Sequence, residues 1–493
     1  HSHMNTQQLF LTLVLLFTLN FSNAQFNLVR NFNNPPTYFY VHNNKLYFNA
    51  REVGTSNSEL WVYDGTIPTS STNPKLVKDL DDNSSVGTSP KSFVSYNGKL
   101  FFSNNNNLFS YDDAQPISAT NPKIIGNRGN GLKVFDNKLF YEEASQSPIS
   151  IWTYDDNLPI DANNPKRLVS TAVNTIMTNY QFNPYVFNGK LYFSGKTLNT
   201  DQNFELQVYD PSQSISTNNP SRVYDINPGT SGSSPSGFIN FQNKLFFTAN
   251  DGTGEELWVY NGTANPTKVY DIDPTPYGGL AYWKTIYDNK LFFSVHNSLG
   301  TELWKYDGVT NPQLVVDIFV GTEFSIPRNL LVYDNKLFFN ATNGTNGREL
   351  YYYDSLLPIS STNPKLIDMF TGSENGIDVE HDIIVYNGKL YFSGKTSNSN
   401  IGLFSLDASN LSTIEATDTN SSIKIYPIPS SGTINIESSD NIKNIQVINS
   451  IGQNVLSAKT NSKKELVTVK NKGIYFVIIN TDKQREVRKI IVK

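Results

Sequence analysis

Residues 43–66 read NNKLYFNAREVGTSNSELWVYDGT. Asn43-Asn44 is a pair that tolerates positive φ in a two-residue hairpin turn, so the residues before it and the KLYF after it form two tightly joined antiparallel strands. ELWVYD is a third strand, closed by a turn at Asp64-Gly65. The first half of the phrase returns as NGKLFFSN (97–104), DNKLFYEE (136–143), NGKLYFSG (188–195), QNKLFFTA (242–249), DNKLFFSV (288–295), DNKLFFNA (334–341) and NGKLYFSG (387–394). The second half returns as ELWVYNGT (256–263) and ELWKYDG (302–308). Weaker copies are LFSYDD (108–113), IWTYDD (151–156), ELQVYD (205–210), ELYYYD (349–354) and LFSLD (403–407).

The lysine that opens each KL(Y/F)F strand stands at 45, 99, 138, 190, 244, 290, 336 and 389, giving steps of 54, 39, 52, 54, 46, 46 and 53 residues. That is the length of one four-stranded propeller blade. A fourth strand follows in KLVKDL (75–80), RVYDI (222–226), KVYDI (268–272) and LVVDI (314–318). These strands are apolar on both faces, as a sheet sandwiched between two neighbours requires; a one-sided sheet would alternate more strictly. The last unit has a poor fourth strand, whereas FNLVRN at 26–31 resembles KLVKDL. The fold predicted is all-β: an eight-bladed β-propeller closed by its N-terminal strand, or seven-bladed if the weaker second unit (97–133) is no full blade. Closure removes exposed sheet edges. Five units carry an extended polar insertion before the fourth strand, IPTSSTNPK (67–75), QPISATNPK (115–123), LPIDANNPK (158–166), QSISTNNPS (213–221) and LPISSTNPK (357–365), expected on one rim.

Composition agrees. Of 493 residues, 13% are aromatic and 17% charged; there is no cysteine, hence no disulfide framework or thiolate metal site. A net charge of −5 argues against nucleic acid as a partner. His1–His3 resembles a tag remnant. Residues 4–24 read as a signal peptide: the apolar run LFLTLVLLFTL (9–19) suits an h-region and is too short to span a bilayer, and small residues place cleavage between Ala24 and Gln25. Its n-region, MNTQQ, lacks the usual Lys or Arg. No later stretch is long and apolar enough to be a transmembrane segment.

The propeller is assigned to 25–408, a polar linker to 409–422 and a second domain to 423–493. The last alternates apolar and polar residues through about seven short strands, a pattern for a small Ig-like β-sandwich. It holds twelve Lys/Arg against five Asp/Glu, a net +7, while the remainder holds 27 against 39, a net −12. Tyr426-Pro427-Ile428-Pro429 with Gly432, then Ile451-Gly452-Gln453, Gly473-Ile474-Tyr475 and the terminal Lys489-Ile490-Ile491-Val492-Lys493 resemble the type A sorting domain of the type IX (Por) secretion system of Bacteroidetes. Ile428 departs from that family's usual Asn. The resemblance implies Sec export, passage through the outer-membrane translocon, recognition by a shuttle and removal by a sortase, with a cell-surface or secreted destination. The repeat phrase resembles the ELWxxDGT-repeat proteins, a family with no assigned activity to transfer.

For function, one repeated polar position invites attention. The fourth strands end in Asp79, Asp225, Asp271, Asp317 and Asp368, with Asn31 at the corresponding place in the closing strand. Together these acids could hold a cation or sugar hydroxyls; singly, each would cap its own loop, the commoner role. The eight hairpin lysines could ring an anionic polymer, or simply be solvated. His42, His296 and His381 fall in different slots, and no hydrolase, zinc or phosphate-loop motif occurs, so neither a cofactor nor a metal is expected. Trp283 and Tyr277 are aromatics that could stack on sugars. The chain is expected to be a non-enzymatic binding or adhesion protein, contacting a glycan or a cell-surface partner through one rim. The alternatives are a polysaccharide-active enzyme with paired carboxylates and a structural protein without a small ligand.

Overall fold

The computed structural model describes residues 26–493 except 81–88, 105–106, 128, 144–148, 169–181, 197–202, 217, 276–277, 280, 361–362, 378–382, 408–410, 412–422, 427–429, 431, 450–453, 484 and 493. The signal peptide, with Ala24 and Gln25, therefore lies outside the described residues. The chain divides into two compact units, one ending at Ala408 and one beginning at Ser409. Among the described residues no helix is long and apolar enough to cross a membrane.

The first unit is a succession of four-stranded antiparallel sheets, numbered 1–8 here along the chain. Their first strands are Thr37–His42, Lys91–Tyr96, Gly129–Phe135, Tyr185–Phe187, Ser236–Phe241, Tyr282–Tyr287, Arg328–Tyr333 and Ile383–Tyr386. In sheets 1–7 each strand pairs with the next in sequence, as expected from tight turns. The turns are built as the Asn and Asp pairs require: Asn43 and Asn44 have φ of 45° and 56°, and Asp136 and Asn137 of 47° and 52°. The second unit of the repeat, weak in sequence, still forms a complete sheet from Lys91 to Asn127. Sheet 8 is completed by Phe26–Asn31, which pairs antiparallel with Asn400–Leu406, Phe26 opposite Leu406 and Asn31 opposite Gly402.

The KL(Y/F)F strands explain why the sheets stack. Successive residues point to opposite faces, and both faces are covered. Leu46 and Phe48 of sheet 1 pack with Tyr386, Tyr391 and Leu403 of sheet 8. Tyr47, between them, packs with Leu100, Phe102, Phe109 and Tyr111 of sheet 2. Equivalent clusters join sheets 2 to 3, 3 to 4, 4 to 5, 5 to 6 and 6 to 7. Tyrosine hydroxyls link neighbours in a recurring way. The Tyr96 hydroxyl donates to Asn137 O and accepts from Asp156 N; Tyr287 does the same with Asn335 O and Ser355 N. Tyr386 repeats the pattern between the last and first sheets, donating to Asn44 O at 2.9 Å and accepting from Gly65 N at 2.8 Å.

At the hairpin-turn end, the insertions are organised by the asparagine before a proline. Asn73 accepts from Asp64 N and donates to Asp64 O, Ile67 O and Pro68 O. Asn121, Asn164, Asn219 and Asn363 repeat this bracket. The hairpin lysines are not simply solvated there: Lys45 pairs with Asp113 at 2.9 Å, Lys99 with Asp156 at 2.8 Å and Lys190 with Asp210 at 3.0 Å.

Among its described residues the second unit has five strands in one antiparallel sheet, where the sequence suggests about seven short ones. Two are long, Thr433–Asn449 and Asn454–Thr468, and each absorbs two of the expected segments. Their pairing is interrupted between Glu437 and Ile442, a break that the alternating pattern presents as a gap between strands. Both halves share one core of Ile434, Ile436, Ile445, Val447, Val477 and Ile479.

Candidate functional site

The first strands are where the repeats diverge. In six sheets their pairing with the second strand is interrupted by a register shift at the same place, between Thr37 and Tyr40, Lys91 and Val94, Asn130 and Lys133, Ser236 and Ile239, Tyr282 and Thr285, and Arg328 and Leu331. The residue at the break has positive φ: Tyr38 (56°), Ser92 (55°), Gly131 (59°), Gly237 (60°), Trp283 (52°) and Asn329 (56°). Bulges re-aim side chains beside functional sites. Glycine suits such a position; a bulky aromatic there costs about 1–3 kcal/mol. Tyr38 and Trp283 are nevertheless 43% and 42% exposed, so burial does not offset that cost.

Two cavities lie on these bulges. One, of about 370 Å³, is lined by Lys91, Ser92, Asn130, Gly131, Phe182 and Gly237, among others. The other, of about 300 Å³, is lined by Phe39, Trp283, Lys284, Asn329, Leu330 and Ile384, among others. Together they touch the first strand, or the residues leading into it, of all eight sheets. Lys284 Nζ donates to Thr248 Oγ1 and Ala281 O, on sheet 5 and just ahead of sheet 6. Burial of that amine draws its pKa down to about 7, opposed by the nearby Glu255 carboxylate. Glu255 in turn accepts from the Tyr282 hydroxyl at 2.9 Å.

The repeated acids sit elsewhere, each in the loop that leaves its own fourth strand. Asp79, Asp271 and Asp368 are exposed, and Asp225 and Asp317 half-buried. Asp225 pairs with Arg222 at 3.1 Å, Asp317 accepts from Gly321 N and Asp368 from Asn346 Nδ2. Among the described residues no three His, Cys, Asp or Glu side chains gather as a metal site. His42 Nδ1 meets Ser95 Oγ, and His296 Nδ1 meets Thr301 Oγ1. His381 and Tyr277 lie outside the described residues.

The repeated polar position that the fold uses most is one the sequence analysis passed over, the glutamate of ELWxxDGT. Glu59, Glu205, Glu256, Glu302 and Glu349 are all buried. Each reaches the loop after the fourth strand of its own sheet, the loop that the aspartates open. Glu205 accepts from the backbone N–H of Ile226, Asn227 and Ser233. Glu302 accepts from Ile318 and Ser325, Glu349 from Met369 and Gly376, Glu256 from Gly279, and Glu59 from Leu80. Burial pushes Glu302 and Glu349 up to about 7, with the hydrogen bonds opposing. The signal was present, because the five sheets with this Glu are the five whose fourth strand ends in Asp.

In the second unit, Tyr426 donates to Glu437, which also pairs with Lys464. Gly432 has φ of 121° and its N–H donates to Ser430 Oγ. Gly473 begins the strand that carries Tyr475, whose buried side chain donates to Asn471 O. The Lys489 backbone pairs opposite Phe476. Pro427, Pro429, Gly452 and Lys493 lie outside the described residues.

Residues 424–493 match the secretion system C-terminal sorting domain. Such a domain marks proteins exported by the type IX system, so this protein is delivered to the cell surface or released. No curated protein matches the chain. Among solved structures, a prolyl endopeptidase is similar at 10% identity and a TM-score of 0.44, over 92% of this chain and 55% of that one. The type IX secretion component PorZ of Porphyromonas gingivalis is similar at 11% identity and a TM-score of 0.28, over 92% and 75%. The extracellular domain of a putative one-component system from B. thetaiotaomicron is similar at 12% identity and a TM-score of 0.38, over 95% and 74%. The chain thus spans little more than half the length of the peptidase.

Proposed function

We propose that the protein is a non-enzymatic surface binding or adhesion module, built on a closed eight-bladed propeller of the ELWxxDGT-repeat kind, whose ligand is a glycan held at the central channel. Eight four-stranded sheets and the tyrosine link between the last and the first support the closed ring. The sorting domain is read as a small sandwich made by the bend in its two long strands. Export begins with the signal peptide, and a shuttle and sortase handle the sorting domain.

One observation carries the binding site: Trp283 is strained, exposed and set in a cavity wall. Strain at an exposed side chain points to function rather than packing. An aromatic face beside amide, hydroxyl and amine groups is the equipment for holding sugar rings. The site thereby moves from the rim acids, as read from sequence, to the channel wall.

A glycan array with the purified protein tests this. Binding that disappears in Trp283→Ala supports it; no glycan bound, with hydrolysis of one polysaccharide, would instead establish the enzyme. The sorting role is tested by deleting residues 421–493: the truncated chain should stay in the periplasm, and normal surface delivery would contradict it.

A further inference from the structure

We infer that the central space takes an acidic glycan, one whose sugar rings carry carboxylate or sulfate groups, in preference to a neutral one; this rests on the binding reading above. The first strands of the eight sheets carry Lys91, Lys133, Lys284 and Arg328 and no Asp or Glu. They do so in a part of the chain whose net charge is −12. The first strands are therefore cationic inside an acidic part of the chain. A cleft lined by one sign of charge concentrates ligands of the other.

The placement of the cations strengthens the case. Lys91 lines one cavity and Lys284 the other. Lys284 Nζ fits where Gly237 lacks a side chain, 2.8 Å from the position a Cβ would take. Its two acceptors, a hydroxyl and a carbonyl, are neutral. Lys133 Nζ lies 5.8 Å from the centre of the Tyr185 ring. Among the described residues, the carboxylates of Glu142 and Glu255 reach the first strands, where they accept from Asn130 and from the Tyr282 hydroxyl. An anionic ring stacked on Trp283 would add to the pull of Glu255 in holding Lys284 as an ammonium, whose direct hydrogen-bond partners are neutral. Charge-assisted hydrogen bonds of this kind are among the strong ones.

The test uses the full chain and calorimetric titration with oligomers of galacturonate, glucuronate and mannuronate, each beside its methyl ester, plus a sulfated galactan oligomer. Esterification keeps the rings and removes the charge. The inference predicts that at least one acidic oligomer binds about tenfold or more tightly than its neutral counterpart, with affinity falling as salt rises. Which acid binds separates carboxylate from sulfate recognition. Lys284→Met and Lys91→Met should each remove most of the acid preference while leaving weak ester binding. Lys91→Met guards against a folding defect in Lys284→Met, because Lys91 lies in the other cavity wall. Equal binding of acid and ester would overturn the inference and leave the binding reading intact. No binding to any oligomer here or to any glycan on the array would overturn both.

Discussion

The second strand of each sheet and the first strand beside it share a hairpin turn, yet they carry opposite kinds of information. The second strands are nearly the same phrase eight times over, and their KL(Y/F)F residues are buried on both faces. Six of the first strands share a bulge and a backbone angle, at Tyr38, Ser92, Gly131, Gly237, Trp283 and Asn329, but no residue type common to all. Repetition marks what stacking one sheet on the next demands. Variation at a constant bulge marks where stacking makes no demand, and there a ligand site can be built without loosening the stack of sheets.

The contrast can be broken most forcefully in a second strand. Phe48→Ala, in the core between sheets 8 and 1, should cost about 3–5 kcal/mol, read as a fall in the denaturant midpoint. Next comes the glutamate clamp. Glu349→Ala strands the buried N–H groups of Met369 and Gly376 and should cost about 3 kcal/mol, measured the same way. The same clamps give a pH signature. Glu302 and Glu349 are raised from 4.5 to about 7 in the fold, so the native state binds more protons than the unfolded chain between those values. Their contribution is fully present below pH 4.5 and declines as pH rises to about 7. The Glu302→Gln/Glu349→Gln pair should flatten the fall in thermal midpoint between pH 5 and 7.

Tyr386→Phe is a finer probe. It removes one hydroxyl between the last and first sheets and should cost about 1 kcal/mol. Smallest of all is Trp283→Gly. Losing a large aromatic usually destabilises a protein, but here relief of the positive φ should leave stability unchanged or raise it by about 1 kcal/mol.

The repeat, the turns and the pairing of Phe26–Asn31 with the last unit were legible because each rests on residue chemistry: Asn and Asp at the turns, aromatics on both faces, a spare strand of matching pattern. The bulges were not, because Ser92, Trp283 and Asn329 share a backbone angle and nothing else. The glutamates were visible as letters, but a strand buried on both faces gives no alternation to say that Glu302 points inward. The aspartates drew attention because they open Gly- and Ser-rich loops; the side chains that hold those loops are the glutamates behind them. In the sorting domain, a polar stretch within Thr433–Asn449 read as a break between strands, whereas it is a shift of pairing register within one.

The central claim is that the wall of the first strands, and Trp283 within it, is the ligand site. It is tested most directly by titrating the full chain and its Trp283→Gly variant with the acidic oligomer that binds best, alongside their thermal midpoints. The account predicts that binding is lost while the midpoint holds or rises. A variant that binds as the parent does, or one that loses binding only by unfolding, would contradict it.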